Sequence, residues 1–197
     1  RYLTHAENDL NNDNLHFETI ACSTTEDALA ALKAGEVDAV FPVYLHPYDA
    51  DTNDVFVTDQ AMKTEMNVIM RASDNRGLSK DSEVTFAVDN GNVNNTTFIM
   101  EDYPSAQSKS YKDKVASFKA VSEGDADCAL ISSYRLASFE DTLKDFKLYS
   151  VPTGESIPLS FAVRKDNPEL YFLLNKTVIM TESQDMYAAL VSYMHTS

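Results

Sequence analysis

Two periods alternate along the chain. Apolar residues spaced three and four apart mark helix faces, and short apolar or alternating runs mark strands. Tyr2, Leu3, Ala6 and Leu10 share one helical face, which NNDN at 11–14 ends. HFETIAC (16–22) alternates, with Phe17, Thr19 and Ala21 on one side, and predicts a strand. Ser23 and Glu26 stand at capping-box spacing, so a helix is expected from Ser23, with Ala28, Leu29, Ala31 and Leu32 inward and Gly35 as its terminator. The run 37–43 predicts a buried strand, 44–54 a loop, 55–58 a short strand and 64–71 a longer one.

The polar stretch 72–83 is rich in breakers and predicts a boundary. Beyond it the logic repeats. A strand is expected at 84–88, a Gly/Asn turn at 89–95, a short helix at 96–102 and a helix at 111–123 with Val115, Phe118 and Val121 inward. A buried strand follows at 127–131, a short helix within 132–146, and strands at 147–151 and 158–164. Pro168 opens a helix with Leu170, Leu173, Leu174 and Val178 on its apolar face, and a last helix runs over 183–193. Strands alternating with helices predict an α/β class with mostly parallel sheets.

One phrase is written twice. LKAGEVDAV (32–40) and SEGDADCAL (122–130) each close a helix with glycine and lead through an aspartate into an apolar strand, 89 positions apart. The phrase reads either as the same β-α-β step in two lobes or as a chance match between two ordinary junctions.

Composition narrows the function classes. The chain has 197 residues, a formal net charge of −15 and 44% hydrophobic residues, enough for a core. The negative field disfavours nucleic acid and anionic membrane surfaces as partners, and favours a neutral or cationic ligand without choosing one. Cys22 and Cys128 each lie in or beside an apolar run and are expected to be buried free thiols. No cysteine pair has metal-ligand spacing, and His5, His16, His46 and His195 share no motif, so no metal or cofactor is expected. Asn94-Asn95-Thr96-Thr97 contains glycosylation sequons. The chain begins at Arg1 rather than Met, shows no leader and no membrane-spanning run, and is read as a processed piece of something longer.

ACSTTEDALAALKAGEVDAVFPVY resembles the first-lobe stretch of type II periplasmic solute-binding proteins of the amino-acid-binding family 3, where a helix ends in an "LxxGxxDA" phrase. VTD (57–59) stands where that family has a phenylalanine–serine or –threonine phrase before its exit strand. VASFKAVSEGDADCALISSYRL is similar to the second-lobe counterpart, and LSFAVRKDNPELYFLLNKTV to the return segment with its "RKDNPEL" and "LNK". VFPVY and LISSYR look most like the extracellular sensor modules of membrane-bound histidine kinases and diguanylate cyclases. The resemblance covers nearly the whole chain, in order. It implies a two-lobed periplasmic-binding-protein-like fold, each lobe a mostly parallel sheet flanked by helices. Lobe one is expected from 1–72 and 159–197, lobe two from 73–158, with crossings near 71–73 and 152–159. The family's opening strand has no evident counterpart: either the chain omits that segment or lobe one is built differently, and an omitted strand would leave a strand edge open to pairing in a homodimer.

The resemblance also places the ligand between the lobes. The arginine that clamps an α-carboxylate in lobe one has no counterpart, because residues 41–60 hold no Arg or Lys. The lobe-two aspartate for the ammonium is replaced by Ser132. An α-amino acid held in the usual way is therefore not expected. Candidate ligand residues are Tyr44, which follows the first strand, with Pro42 behind it, and Gln60 after the VTD phrase. Asn90, Gly91 and Asn92 precede a helix, where backbone N–H groups can hold an anion or a carbonyl. Ser132, Ser133 and Arg135 sit at the C-terminal end of a strand, where open α/β sheets bind ligands. Each has a plainer reading: Tyr44 packing on its own lobe, the Asn-Gly-Asn turn serving only backbone geometry, and Arg135 pairing with a surface acid. No catalytic motif occurs. The expectation is a non-enzymatic, extracytoplasmic sensing domain of a membrane-bound signalling protein, tethered to the membrane through adjacent segments, which closes its lobes on a small polar ligand. A free receptor of an ABC importer is the alternative, and an enzyme on the same scaffold the third reading.

Overall fold

The computed structural model describes residues 17–181 and 183–196. The chain divides into two compact units, Arg1–Lys63 with Pro158–Ser197, and Thr64–Ile157. The chain passes between them twice, within strands that straddle the two divisions.

In the first unit, helix α1 (Thr25–Ala34) starts one residue later than the capping-box spacing suggests. Thr24 is the cap, its Oγ1 accepting from the Asp27 N–H at 3.0 Å. Strand β1 (Ala39–Val43) follows, then helix α2 (Pro47–Thr52), then β2 (Val55–Val57). Helix α2 lies in what the sequence presents as a loop. Pro47 sits in its first turn, and His46 Nδ1 accepts from the Tyr48 N–H at 3.1 Å, so an imidazole does the work of a Ser or Asp cap. After the second unit the chain returns through the last residues of β7 (Leu148–Arg164), helix α7 (Pro168–Met180) and helix α8 (Ser183–Thr196). Both β1 and β2 pair antiparallel with β7, as in Ala39↔Val163 and Val57↔Ala162. The expectation of a mostly parallel sheet is corrected for this unit: both described strands precede a long returning strand and meet it head to tail. Leu29, Leu32, Val40, Val43, Val55 and Ala162 form its core.

The second unit is built from β3 (Met62–Arg71), β4 (Thr85–Asp89), α3 (Val93–Asp102), β5 (Gln107–Tyr111), α4 (Lys114–Glu123), β6 (Cys128–Ser132), the short helix α5 (Ser133–Leu136) and α6 (Glu140–Asp145). Its strands run in the order β3-β6-β4-β5. Strand β4 is parallel to both neighbours, and β3 is antiparallel to β6. Ile69, Ala87, Phe118, Val121, Ile131, Leu143 and Leu148 form the core. Burying each of the larger side chains contributes roughly 1.5–3 kcal/mol.

Several expectations need correction. Residues 17–22 form no strand: Phe17 is the single large apolar residue on its alternating face, and Ile20 is 63% exposed. Cys22 is exposed rather than buried, while Cys128 is fully buried. Val115 is 45% exposed, because α4 turns Phe118 and Val121 inward together with Ser117 and Ala120. Strand β5 is too polar (QSKSY) to read as a strand and is held by its parallel ladder to β4. The strands expected at 147–151 and 158–164 are one element, which carries Gly154 at φ +78°. The helix expected over 2–10 lies outside the described residues.

The doubled phrase is one junction built twice. Gly35 and Gly124 both take the left-handed conformation, at φ +79° and +81°. Their N–H groups bond back to Leu32 and Val121, and the next N–H reaches Ala31 and Ala120. An arginine from the neighbouring strand end closes each junction. Arg164 Nη1 donates to the Leu32 and Val37 carbonyls at 3.0 and 2.8 Å. Arg71 Nη1 donates to the equivalent Val121 and Ala126 carbonyls at 2.7 and 3.1 Å. The arginine satisfies carbonyls that the helix end leaves open.

Candidate functional site

In the first unit, Pro42 lies within β1, Tyr44 follows that strand and Gln60 follows β2. The Phe41–Pro42 bond is cis, and the ladder of β1 with β7 is irregular between Val40 and Val43, where Pro42 has no N–H to donate. Phe41 stacks on Phe161 with ring centroids 4.5 Å apart. Pro42 and Tyr44 are half-buried, and Gln60 is exposed. The turn before Gln60 is pinned from two sides. Thr58 Oγ1 accepts from the Phe161 N–H at 3.0 Å, and the Asp59 N–H donates to Asn175 Oδ1 at 2.7 Å. Asn175 is the asparagine of the LNK phrase, so that phrase fixes the loop. Strand β3 follows this turn.

In the second unit, Asn90, Gly91, Asn92, Ser132, Ser133 and Arg135 are brought to one edge of the sheet. Strands β4 and β6 are parallel neighbours with Ala87 opposite Ala129, so the segments leaving them emerge side by side. Gly91 takes φ +77°, which the turn requires. The turn's amides are already engaged: the Asn90 N–H donates to the Tyr111 carbonyl at 2.8 Å and the Asn92 N–H to the Asp89 carbonyl at 3.1 Å. Asn92 Oδ1 caps α3 by accepting from the Asn95 N–H at 3.0 Å. Asn95, buried, donates to the Leu130 carbonyl at 3.2 Å, which occupies the nitrogen of that sequon. Ser132 is buried, its Oγ against Met66 Sδ at 3.5 Å, and Ser133 Oγ accepts from Asn67 at 2.9 Å.

Charged groups stand at this edge, among them Lys114 and Asp89, which the sequence did not single out, and Arg135. Lys114, only 6% exposed at the first position of α4, donates from Nζ to Asp89 Oδ1 at 2.7 Å. Asn92 Nδ2 donates to the same carboxylate at 3.2 and 3.3 Å. Burial pushes the Lys114 pKa down, the Asp89 carboxylate opposes that shift, and the charge of Arg135 adds to it. Arg135 stands over the Phe139 ring, 5.7 Å from its centroid, and Phe139 meets Phe118 edge to face at 5.6 Å. Its buried Nε has no hydrogen-bond partner. An aspartate closing β4 and a lysine opening the next helix but one are the signal that would have marked the pair. Such spacing is common in α/β units, so it carries little on its own.

The described residues hold no group of three or more side chains suited to a metal ion, and no helix among them is long and apolar enough to cross a membrane.

No protein-family model matches the chain, and no curated protein matches it in sequence. Solved structures do match in fold. The periplasmic VFT2 domain of Bordetella pertussis BvgS is 18% identical with a TM-score of 0.68, over 98% of this chain and 80% of that one. The ancestral amino-acid-binding protein AncCDT-1, described as a precursor of cyclohexadienyl dehydratase, is 20% identical with a TM-score of 0.65, over 98% and 82%. The substrate-binding protein of an amino acid ABC transporter is 17% identical with a TM-score of 0.65, over 100% and 86%. The chain therefore has the two-lobed α/β fold of type II periplasmic binding proteins.

Proposed function

We propose that the chain is a small-molecule-sensing domain that works outside the cytoplasm as part of a membrane-bound signalling protein, its two units closing on a small polar ligand. The observation that carries the reading is the second unit's sheet edge, where polar and charged groups leave adjacent parallel strands at the place where open α/β sheets receive ligands. The fold likeness to the BvgS domain is compatible with sensing. A ligand that binds the closed arrangement better than the open one shifts the population by that difference in affinity, and α8 would carry the shift onward. Pro42, Tyr44 and Gln60 in one unit, and Asn90, Gly91, Asn92, Ser132, Ser133 and Arg135 in the other, are the proposed contacts.

The likeness to a transporter's substrate-binding protein favours a second reading, a free importer receptor. Cells expressing the complete gene separate the two. Under the sensing reading, an added ligand changes a transcriptional or cyclic-dinucleotide output while uptake of labelled ligand stays constant on gene deletion. Loss of uptake on deletion supports the receptor instead. A thermal-shift screen over amino acids, polyamines, organic acids and nucleosides tests ligand binding itself: a rise with one class supports it, and no rise with any sinks both readings.

A further inference from the structure

Among the described arginines, Arg71, Arg76 and Arg164 each hold at least one carboxylate within 4 Å, in a chain with nearly twice as many acids as bases. Arg135 holds none. The acid nearest to hand in the sequence logic, Asp89, is committed to Lys114 and Asn92. The next acid along, Asp113, caps α4 by accepting from the Ala116 N–H at 2.8 Å, so neither carboxylate is paired with Arg135. Ser132 and Ser133 bring no compensating charge, and the amides of Asn90 and Asn92 are occupied.

We infer that Arg135 receives an oxyanion group of the ligand, so that the second unit is built for a small carboxylate or phosphate and not for an ammonium. The guanidinium, placed over the Phe139 ring, has its N–H groups in one plane, which suits bidentate pairing with a carboxylate or phosphate. The buried Nε finds no hydrogen-bond partner among the described residues, so the side chain is not committed to another group there. The overall charge of −15 does not argue against this. The second unit carries 10 Lys and Arg against 15 Asp and Glu, so only −5 of that charge belongs to it, and a charge more than about 10 Å away is screened at physiological salt. The inference rests on the ligand-binding reading above and names the ligand class.

The test is calorimetric titration of the 197-residue chain with succinate, inorganic phosphate, L-alanine and putrescine, in wild type, Arg135→Gln and Arg135→Lys, with circular dichroism melts of all three. The expected result is binding of succinate or phosphate, weakened at least ten-fold by Arg135→Gln, partly restored by Arg135→Lys, with unchanged spectra. Preference for succinate over phosphate identifies a carboxylate ligand, and the reverse a phosphate. Equal anion affinity in Arg135→Gln overturns the inference, as does binding of putrescine with neither anion bound, or binding of alanine with an affinity that Arg135→Gln leaves unchanged, and in each case the ligand-binding reading survives. If none of the four binds, the inference falls; if the wider thermal-shift screen is also silent, the ligand-binding reading falls with it.

Discussion

Replacing Arg71 with alanine should destabilise the second unit by about 2–3 kcal/mol. The guanidinium makes two short hydrogen bonds to carbonyls at the α4–β6 junction, 2.7 and 3.1 Å, and hydrogen bonds from a charged donor contribute roughly 1.5–3 kcal/mol each. The side chain is 26% exposed, so water replaces part of what is lost and the sum must be discounted. Its contact with Asp74, at 3.7 Å, adds little. Arg164→Ala removes the equivalent pair from the first unit, at 3.0 and 2.8 Å with 22% exposure, and should destabilise that unit by a similar amount. The assay is urea denaturation followed by circular dichroism, since the chain has no tryptophan. At about 2–4 °C per kcal/mol for a chain of this size, each melt should fall by roughly 5–10 °C. Because the acceptors are carbonyls and not exposed carboxylates, the loss should persist in high salt. Losses under about 0.5 kcal/mol in both variants would refute the clasp. Losses confined to one of them would refute the equivalence of the two junctions.

Asp74 supports an acid-limb prediction. Its hydrogen bond with Arg76 is the main cause that holds its pKa down to about 2 from an ordinary 3.8. The linked stability is present above the unfolded-state value and is lost as pH falls from about 4 toward 2. Asp74→Asn should flatten that part of the melting-temperature profile between pH 5 and 2.5, and an unchanged slope there would count against the Arg76 pairing. Lys114→Ala strands the Asp89 carboxylate, 17% exposed, with Asn92 as its remaining described side-chain donor, and should destabilise by about 3–5 kcal/mol in the same urea assay. The double variant Lys114→Ala/Asp89→Asn should recover part of that loss, and no recovery would mean that Lys114 acts through packing alone.

The elements with strong local signals were legible in the sequence. Helix α1 with Gly35, α4 with Gly124, and α7 with Pro168 all form where period and punctuation put them, within a residue or three. The misses share a physical cause, which is that tertiary partners decide them. Strand β5 has no apolar face of its own and exists through its ladder to β4. Residues 17–22 have an alternating pattern and no described partner strand, so they form none. Helix α2 starts on an unusual histidine cap. The arginine clasps join residues 50 and 132 positions apart, which no local pattern encodes. At the candidate site, the sheet-edge position of Asn90–Asn92 and Ser132–Arg135 followed from strand order. The engagement of the turn's amides and the Lys114–Asp89 pair did not, because both depend on which helix N-terminus the fold sets beside β4.

Closure of the two units on a ligand is measured most directly by electron–electron spin resonance between labels at Lys33→Cys and Lys119→Cys, two exposed helix positions, one in each unit, in a Cys22→Ser background. Cys128 stays unlabelled, since it is fully buried and burial pushes its thiol up to about 12. Saturating the chain with a ligand whose binding calorimetry has established should shift the label-to-label distance distribution and narrow it to one population. Superimposable distributions with and without that bound ligand would contradict closure as the mechanism.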